Sequence, residues 1–175
     1  GYRQISESLY EDWKKVIDIN LTGAYNLIAH TSKIIKEQSK KDSNYNSGRI
    51  INMISTAGIW GNFGQAAYAS AKSGLIGLTR VAALDLQRTG ITCNAIAPFA
   101  STRVTKSINP QNESQKKYKK AALKIEAKYV GDLTSFLSSN HGIKYSGQIF
   151  GVRGKEVFLF NQARPIYNFI RKNSK

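Results

Sequence analysis

A tyrosine and a lysine stand four residues apart in the segment GQAAYASAKSGLIG, residues 64–77. In a helix, side chains at positions i and i+4 share one face, so Tyr68 and Lys72 are expected to point the same way. The pKa of a free tyrosine lies near ~10, which is too high for a base at neutral pH. A neighbouring ammonium group lowers that pKa, so the pair could exchange a proton with an alcohol or a carbonyl oxygen. Such a pair also arises by chance, and for the pair alone ordinary surface residues remain the alternative.

Two further polar residues belong to the same candidate site. Ser55 ends the short apolar segment RIINMIS, residues 49–55, which predicts a buried strand. Parallel α/β sheets present ligands at the carboxyl ends of their strands, so the Ser55 hydroxyl could hold the same substrate oxygen. Asn20 lies in a helical segment that precedes this strand. Taken singly, Asn20 could bond to backbone within its helix, and Ser55 could cap the end of its strand.

The elements that would position these residues alternate between helices and strands. Helical spacing of apolar residues predicts helices over residues 11–38, 66–87 and 128–138. Short apolar runs predict strands over residues 49–55, 92–96 and 148–152. Pro98 is expected to end the second of these strands. The polar, basic residues 101–124 are expected to form a loop and a short helix. This alternation indicates an α/β fold with parallel strands and helices on the sheet faces.

Three glycines punctuate the loop GIWGNFG before the second long helix. A dinucleotide-binding turn has the pattern Gly-x-Gly-x-x-Gly between a strand and a helix. The spacing of Gly58, Gly61 and Gly64 differs from that pattern. We therefore interpret them as positions where backbone segments approach closely, and Trp60 and Phe63 between them as packing residues.

These motifs together resemble the short-chain dehydrogenase/reductase family. The resemblance is carried by INLTG around Asn20, by GRIINMIS with Ser55, and by TAGIWGNFGQAAYASAK, in which Tyr68 follows Ser55 by thirteen residues. The segments CNAIAPFASTRVT and SGQIFGVRGKEVFLFNQARP are similar to the (3R)-hydroxyacyl-CoA dehydrogenase and 3-oxoacyl reductase branch. The resemblance covers essentially the whole chain. It implies the C-terminal part of a Rossmann-like, doubly wound parallel sheet, with about three strands and flanking helices, in a single domain over residues 1–175.

The resemblance also implies a role for each motif residue. Tyr68 would be the general acid/base toward the substrate oxygen, and Lys72 would lower the Tyr68 pKa and bind the nicotinamide ribose. Ser55 would orient and polarise the substrate, and Asn20 would hold a water in the proton relay beyond Lys72. Ser55 and Tyr68 are thus the expected substrate-binding residues. The implied catalytic residues are Asn20, Ser55, Tyr68 and Lys72, and the implied cofactor-binding residues are Tyr68, Lys72, Pro98, Ala100, Ser101 and Thr102.

The implied activity is the interconversion of a 3-hydroxyacyl and a 3-oxoacyl thioester with NAD or NADP, which carries the hydride while the protein handles the proton. Acyl-CoA is favoured over an acyl-carrier protein as the thioester carrier. In the family, the two long helices pack against another subunit, so residues 11–38 and 66–87 are expected to form a homo-oligomer contact. No metal site is expected, because His30 and His141 are isolated in the sequence.

The family's glycine-rich turn, its first strands and an Asn-Asn-Ala-Gly motif have no counterpart in this sequence. We therefore expect the C-terminal portion of a dehydrogenase domain, in which the strand at residues 49–55 has an unpaired edge. Without the helix N-terminus that holds the pyrophosphate, the chain alone is expected to bind nicotinamide cofactor poorly. The alternative to an active oxidoreductase is a truncated, catalytically inactive remnant that acts at most as an oligomerisation partner.

The charge of the chain is strongly positive. Its 175 residues include 26 Lys and Arg against 11 Asp and Glu, a formal net charge of +15. The basic clusters at residues 33–41, 116–124 and 171–175 lack a nucleic-acid-binding signature, so we interpret them as solvated lysines or as help in holding an anionic substrate. No apolar run approaches the length of a membrane span, and residues 1–13 lack a signal-peptide core. The single cysteine, Cys93, suits a reducing compartment, so a cytoplasmic protein is expected. Neither a nucleic-acid nor a membrane partner is expected.

Overall fold

The computed structural model describes residues 3–165 and 167, and its centre is a four-stranded sheet covered by helices on both faces. The strands are β1 (Arg49–Met53), β2 (Thr92–Phe99), β3 (Ile149–Arg153) and β4 (Glu156–Leu159). The α-helices are α1 (Tyr10–Ile17), α2 (Gly23–Lys41), α3 (Ala57–Trp60), α4 (Ala66–Leu86), α5 (Arg103–Ser107), α6 (Glu113–Ala122) and α7 (Lys128–Ser138). Short 3-10 helices cover Ile5–Glu7 and Asn140–Lys144.

The strands lie side by side in chain order, and β1, β2 and β3 are parallel, as the alternation of elements predicts. β4 runs antiparallel to β3, and the sequence pattern did not predict it. The two strands form a hairpin in which Arg153 faces Glu156 across a two-residue turn. Gly154 occupies that turn with φ of 58°, a conformation that glycine adopts at no steric cost. Within the described residues, β1 pairs only with β2, so its outer edge is unpaired.

The strand predicted to end before Pro98 instead continues to Phe99, so that prediction is wrong. Ala95 donates its N–H to Gln148 on the β3 side. Pro98, three residues further along, therefore turns its nitrogen toward the β1 side. β1 has already ended there, since its last residue, Met53, pairs with Ile96. Proline is tolerated because no ladder hydrogen bond is required at that position.

The two faces of β2 pack against different helices. Ala95 and Ala97 face α4 in a core cluster with Ile54 and Leu75. Ile96 points to the other face, where it packs with residues of α7 and β3. Six consecutive residues of β2, 92–97, are buried, which is the pattern of a parallel strand covered on both sides.

The three predicted long helices are present, and two details differ from the prediction. The first helix is interrupted by a π-helical segment, Asp18–Thr22, between α1 and α2. The glycine loop contains a single helical turn, α3, that packs against α4. Of the helices in the described part of the chain, none combines the length and apolar character that a membrane span requires.

Candidate active site

Helix α4 carries both Tyr68 and Lys72 near its amino end, and both side chains are half-buried. The alanine-rich sequence of its first turns favours the helical conformation. The ammonium nitrogen Nζ of Lys72 lies 5.6 Å from the centre of the Tyr68 ring. The i,i+4 spacing therefore brings the two groups together, as the sequence predicts.

The Lys72 ammonium is anchored to the sheet. Its Nζ donates a hydrogen bond of 2.9 Å to the backbone oxygen of Met53, the last residue of β1. Burial lowers the pKa of Lys72 from its ordinary value, because desolvation disfavours the charged ammonium. A lysine has three N–H donors, so two further hydrogen bonds remain open to it. This bond fixes the amino end of α4 relative to the carboxyl end of β1.

Ser55 lies two residues after Met53, at the same end of β1. Its Oγ accepts the N–H of Ala57 at 3.2 Å, and its backbone oxygen accepts the N–H of Gly58 at 2.9 Å. These bonds begin the helical turn α3. Ser55 therefore has the structural role considered above, that of capping the end of its strand. The hydroxyl proton and a second lone pair of Oγ are not used by this contact and can reach a ligand.

Gly58 is a position that sequence reasoning did not include among the site residues. A Cβ atom added to Gly58 would lie 2.6 Å from the carbonyl carbon of Lys72 and 2.7 Å from the nitrogen of Ser73. Only a glycine lets α3 approach the backbone of α4 this closely. The interpretation of this glycine as a point of close backbone approach is confirmed, and its spacing in the loop was the signal that could have identified it.

Asn20 occupies the π segment, and its amide group is bonded within its own helix. Its Nδ2 donates to the backbone oxygen of Val16 at 3.1 Å, which is the bond within the helix considered as the structural alternative for Asn20. The next residue, Leu21, packs on α4 at Gly74, where an added Cβ would lie 2.8 Å from Leu21 Cδ2. The segment that contains Asn20 therefore packs against α4 at Gly74, two residues after Lys72. π segments are frequent at functional sites, and the implied relay role of Asn20 stays a prediction.

The small residues around Tyr68 differ in their surroundings. Ala71 is completely buried, and a Cβ added to Gly74 would meet Leu21, so both positions serve the packing of α4. Ser70 and Ser73 are exposed. Helix packing thus accounts for part of the absence of bulk on α4.

The residues after Pro98 lie at the carboxyl end of β2, beside the end of β1. Thr102 caps α5: its Oγ1 accepts the N–H of Thr105, and its N–H donates to Thr105 Oγ1, both at 3.3 Å. Ala100 accepts a hydrogen bond of 3.1 Å from Thr105 Oγ1. Ser101 donates its N–H to the oxygen of Ile125 at 2.7 Å. The implied nicotinamide contacts of Pro98, Ala100, Ser101 and Thr102 stay predictions.

A row of aromatic rings runs from α3 to the ends of β4 and β2. The ring of Trp60 meets Phe160 edge-on at 5.7 Å, and Phe160 meets Phe158 at 5.3 Å. Phe158 in turn lies 6.0 Å from Phe99. Trp60 and Phe63 are largely exposed, at 68% and 76%. This aromatic row could not be anticipated, because three of its members depend on the unpredicted hairpin and on the extension of β2.

The charged side chains around the sheet include basic clusters on two helices. No three His, Cys, Asp or Glu side chains in the described part of the chain stand close enough to hold a metal ion. Two of the basic clusters fall on α2 and α6, whereas the cluster at residues 171–175 lies outside the described residues.

The chain is similar to proteins of known families over most of its length. The sequence profile of the short chain dehydrogenase family matches residues 1–113. The chain is 39% identical over 151 residues to a 3-oxoacyl-[acyl-carrier-protein] reductase of Synechocystis sp., which covers 85% of this chain and 58% of that protein. It is 36% identical over 149 residues to the peroxisomal hydratase-dehydrogenase-epimerase of Saccharomyces cerevisiae, covering 82% of this chain and 15% of that protein.

The fold is similar to that of a short chain dehydrogenase from Mycobacterium avium in its crystal structure. The TM-score is 0.80 at 29% sequence identity, covering 97% of this chain and 54% of that one. The Rossmann-like α/β prediction is thereby confirmed. The chain spans little more than half the length of the Synechocystis reductase and of the crystallised dehydrogenase.

Proposed function

Because this chain belongs to the short-chain dehydrogenase family, in its 3-oxoacyl reductase-like branch, we propose that it interconverts a 3-hydroxyacyl and a 3-oxoacyl thioester. The observation that carries the proposal is the placement of Tyr68 and Lys72 side by side on α4. Lys72 is bonded to the end of β1, two residues before Ser55. The hydroxyl groups of Tyr68 and Ser55 and the ammonium group of Lys72 are thus all associated with the carboxyl end of β1.

The proposed chemistry is a proton transfer coupled to a hydride transfer. In the direction of reduction, the Tyr68 hydroxyl gives its proton to the oxygen on carbon 3 of the substrate. The Ser55 hydroxyl donates a hydrogen bond to the same oxygen and holds it in place. The positive charge of Lys72 stabilises the phenolate that remains on Tyr68. NAD(H) or NADP(H), when bound, supplies or accepts the hydride at carbon 3.

The residues present suit the nicotinamide end of such a cofactor. Lys72 retains N–H donors beyond its bond to Met53, which can reach ribose hydroxyls. Ala100, Ser101 and Thr102 lie at the end of the adjacent strand, where the Ala100 oxygen and the N–H groups of Ser101 and Thr102 are already bonded within the protein. The loop from Gly58 to Gly64 does not suit the pyrophosphate, because α4 fills the space beside Gly58. Asn20 is proposed as the residue that extends the proton relay beyond Lys72.

The aromatic row supports an apolar acyl chain as part of the substrate. Trp60, exposed beside the Ser55 turn, continues through Phe160 and Phe158 to Phe99 at the end of β2. Aromatic faces of this kind bind aliphatic chains by excluding water from both surfaces. Acyl-CoA is the favoured carrier, with an acyl-carrier protein as the alternative.

The outer faces of α2 and α4 support self-association of the chain. Tyr25 and Val81 expose 55% and 54% of their surface along a groove between the two helices. Neighbouring exposed apolar residues of this kind mark protein interaction sites. We therefore propose a homo-oligomer through these helices. The same faces favour the second candidate function, an inactive dehydrogenase relative that contributes only to oligomerisation.

The location is proposed to be the cytoplasm. Cys93 is free and buried in the core, and it is the only cysteine of the chain. A protein with a single reduced thiol needs no oxidising compartment, and a reducing one keeps that thiol intact.

A turnover assay with the purified protein separates the two candidate functions. NADH and NADPH are supplied in parallel with acetoacetyl-CoA and with a longer 3-oxoacyl-CoA, and loss of the reduced nicotinamide is followed. Turnover with either cofactor supports the oxidoreductase. A folded oligomer that neither turns over the thioesters nor binds nicotinamide supports the second function and contradicts the first.

A further inference from the structure

We propose that an exposed lysine face on α6, formed by Lys117, Lys120 and Lys124, binds the phosphate groups of a coenzyme A thioester. The identity of the thioester rests on the proposed function, whereas the phosphate-binding face follows from the structure of α6 and its position. The proposal assigns a docking surface to the anionic end of the substrate, away from the acid/base pair.

Two of the five lysines in this region are occupied by other partners. Lys116 forms an ion pair of 2.7 Å with Glu113, and Lys119 donates a 2.7 Å hydrogen bond to the backbone oxygen of Ile108. The Lys119 contact anchors α6 to the segment that follows α5.

The remaining three lysines lie on one face. Lys117, Lys120 and Lys124 are exposed, and among residues 3–165 and 167 none of them has a carboxylate partner. Their spacing of three and four residues places them on the same side of the helix and of the turn that continues it. Seven residues at a helical rise span about 10 Å, so three ammonium groups are concentrated over a short distance.

This face lies near the carboxyl ends of β1 and β2, where the acid/base pair is also held. The turn after α6 is bonded to the chain just beyond β2, through the 2.7 Å contact of Ser101 with Ile125. β2 is the direct neighbour of β1, whose last residue accepts the hydrogen bond from Lys72. In coenzyme A, the long pantetheine arm separates the thioester from the phosphates. A phosphate site is therefore expected near, but not at, the reacting carbon.

The compact size of the lysine face favours coenzyme A over a carrier protein. Coenzyme A carries a diphosphate and a 3′-phosphate on one nucleotide, and three clustered ammonium groups complement this local charge. A second exposed set, Lys33, Lys40 and Lys41, lies on α2, which ends just before the amino end of β1. That set leads toward the opposite, amino end of the strands. Comparing the two sets therefore separates general attraction by positive charge from docking at α6.

The test is equilibrium binding of free coenzyme A, which requires neither turnover nor nicotinamide. The triple variant Lys117→Gln, Lys120→Gln, Lys124→Gln is compared with the charge-matched variant Lys33→Gln, Lys40→Gln, Lys41→Gln by titration calorimetry. We expect the α6 variant to bind coenzyme A about tenfold more weakly and the α2 variant to bind it within about twofold of the native chain. Dephospho-coenzyme A is expected to lose affinity for the native chain, and pantetheine to be insensitive to both variants.

Two results would overturn the proposal: equal losses of coenzyme A affinity in both triple variants, or no loss in either. The turnover assay separates this proposal from the proposed function. Lysine-dependent coenzyme A binding without turnover refutes the oxidoreductase function alone. Turnover with an unchanged KM for acyl-CoA in the α6 variant refutes the docking face alone.

Discussion

Lys72 is the side chain on which the candidate site depends most. Its ammonium group contacts the Tyr68 ring and the Met53 carbonyl, so it joins the helix that carries the acid/base to the end of a strand. Partial burial disfavours its charge, and the Met53 oxygen compensates part of that cost. A ligand at this position would therefore meet a fixed cation rather than a mobile surface lysine.

At the same scale, Cys93 predicts a fall in stability at alkaline pH. Burial raises the pKa of its thiol from 9.0 to about 12. Above pH 9.0 the unfolded thiol ionises while the folded one stays protonated, so this contribution is complete below 9.0 and is lost as the pH rises toward 12. Its slope is at most about 1.4 kcal/mol per pH unit. Urea unfolding of Cys93→Ala should show a shallower loss in that window than the native chain, and identical slopes would contradict the assignment.

The residue-level predictions from sequence succeed where contacts are local. Tyr68 and Lys72 are one helical turn apart, so their contact follows from the helix itself. The bond from Lys72 to Met53 joins residues nineteen positions apart and depends on how α4 packs on β1. The bond from Asn20 to Val16 is local but requires helical geometry around a π segment, which apolar spacing does not reveal.

Among the elements, α3 packs closely against α4 because Gly58 has no side chain. Gly58→Ala should lower the free energy of unfolding by about 1–3 kcal/mol, because the new methyl group would overlap the backbone at Lys72 and Ser73. Gly77→Ala is the matched control within α4, since nothing lies within 4 Å of its added Cβ. It should be neutral or stabilising by up to about 1 kcal/mol. Equal effects of the two substitutions in urea unfolding would contradict this account.

A buried polar contact ties α4 to β1 two helical turns beyond Lys72. Asn52 Nδ2 donates to Thr79 Oγ1 at 2.9 Å, and Thr79 Oγ1 donates to the Leu75 oxygen at 2.7 Å. Thr79→Val should cost about 1–3 kcal/mol, because the Asn52 amide loses its oxygen acceptor. The double variant with Asn52→Leu should cost less than the sum of the single changes, since no unpaired amide remains. Additive losses in urea unfolding would show that the contact contributes nothing.

The elements that the sequence predicts are those with long, regular patterns. α4 and α7 follow from apolar spacing, and β1 and β2 from buried apolar runs. α3 and β4 are short, and each is stabilised by tertiary contacts, at Gly58 and at the pairing with β3. The extension of β2 through Pro98 depends on where β1 ends, which no local pattern specifies.

For the whole molecule, the exposed groove between α2 and α4 predicts association between copies. Val81→Gln should raise the dissociation constant by at least about tenfold, because an exposed apolar side chain that lines the groove is replaced by a solvated amide. Leu159→Gln is the control, since Leu159 is similarly exposed on β4, away from the groove. Sedimentation analysis distinguishes the outcomes: dissociation by Leu159→Gln alone, or by neither variant, would contradict the helix interface.

The measurement that tests the central claim most directly is turnover of a 3-oxoacyl-CoA by Tyr68→Phe, which removes one hydroxyl group from α4. Tyr10→Phe removes the same group from the exposed surface of α1 and serves as the control. We predict that Tyr68→Phe lowers kcat by at least about a hundredfold, with unfolding behaviour unchanged, while Tyr10→Phe turns over at the native rate. Native turnover by Tyr68→Phe would contradict the assignment of this tyrosine as the acid/base.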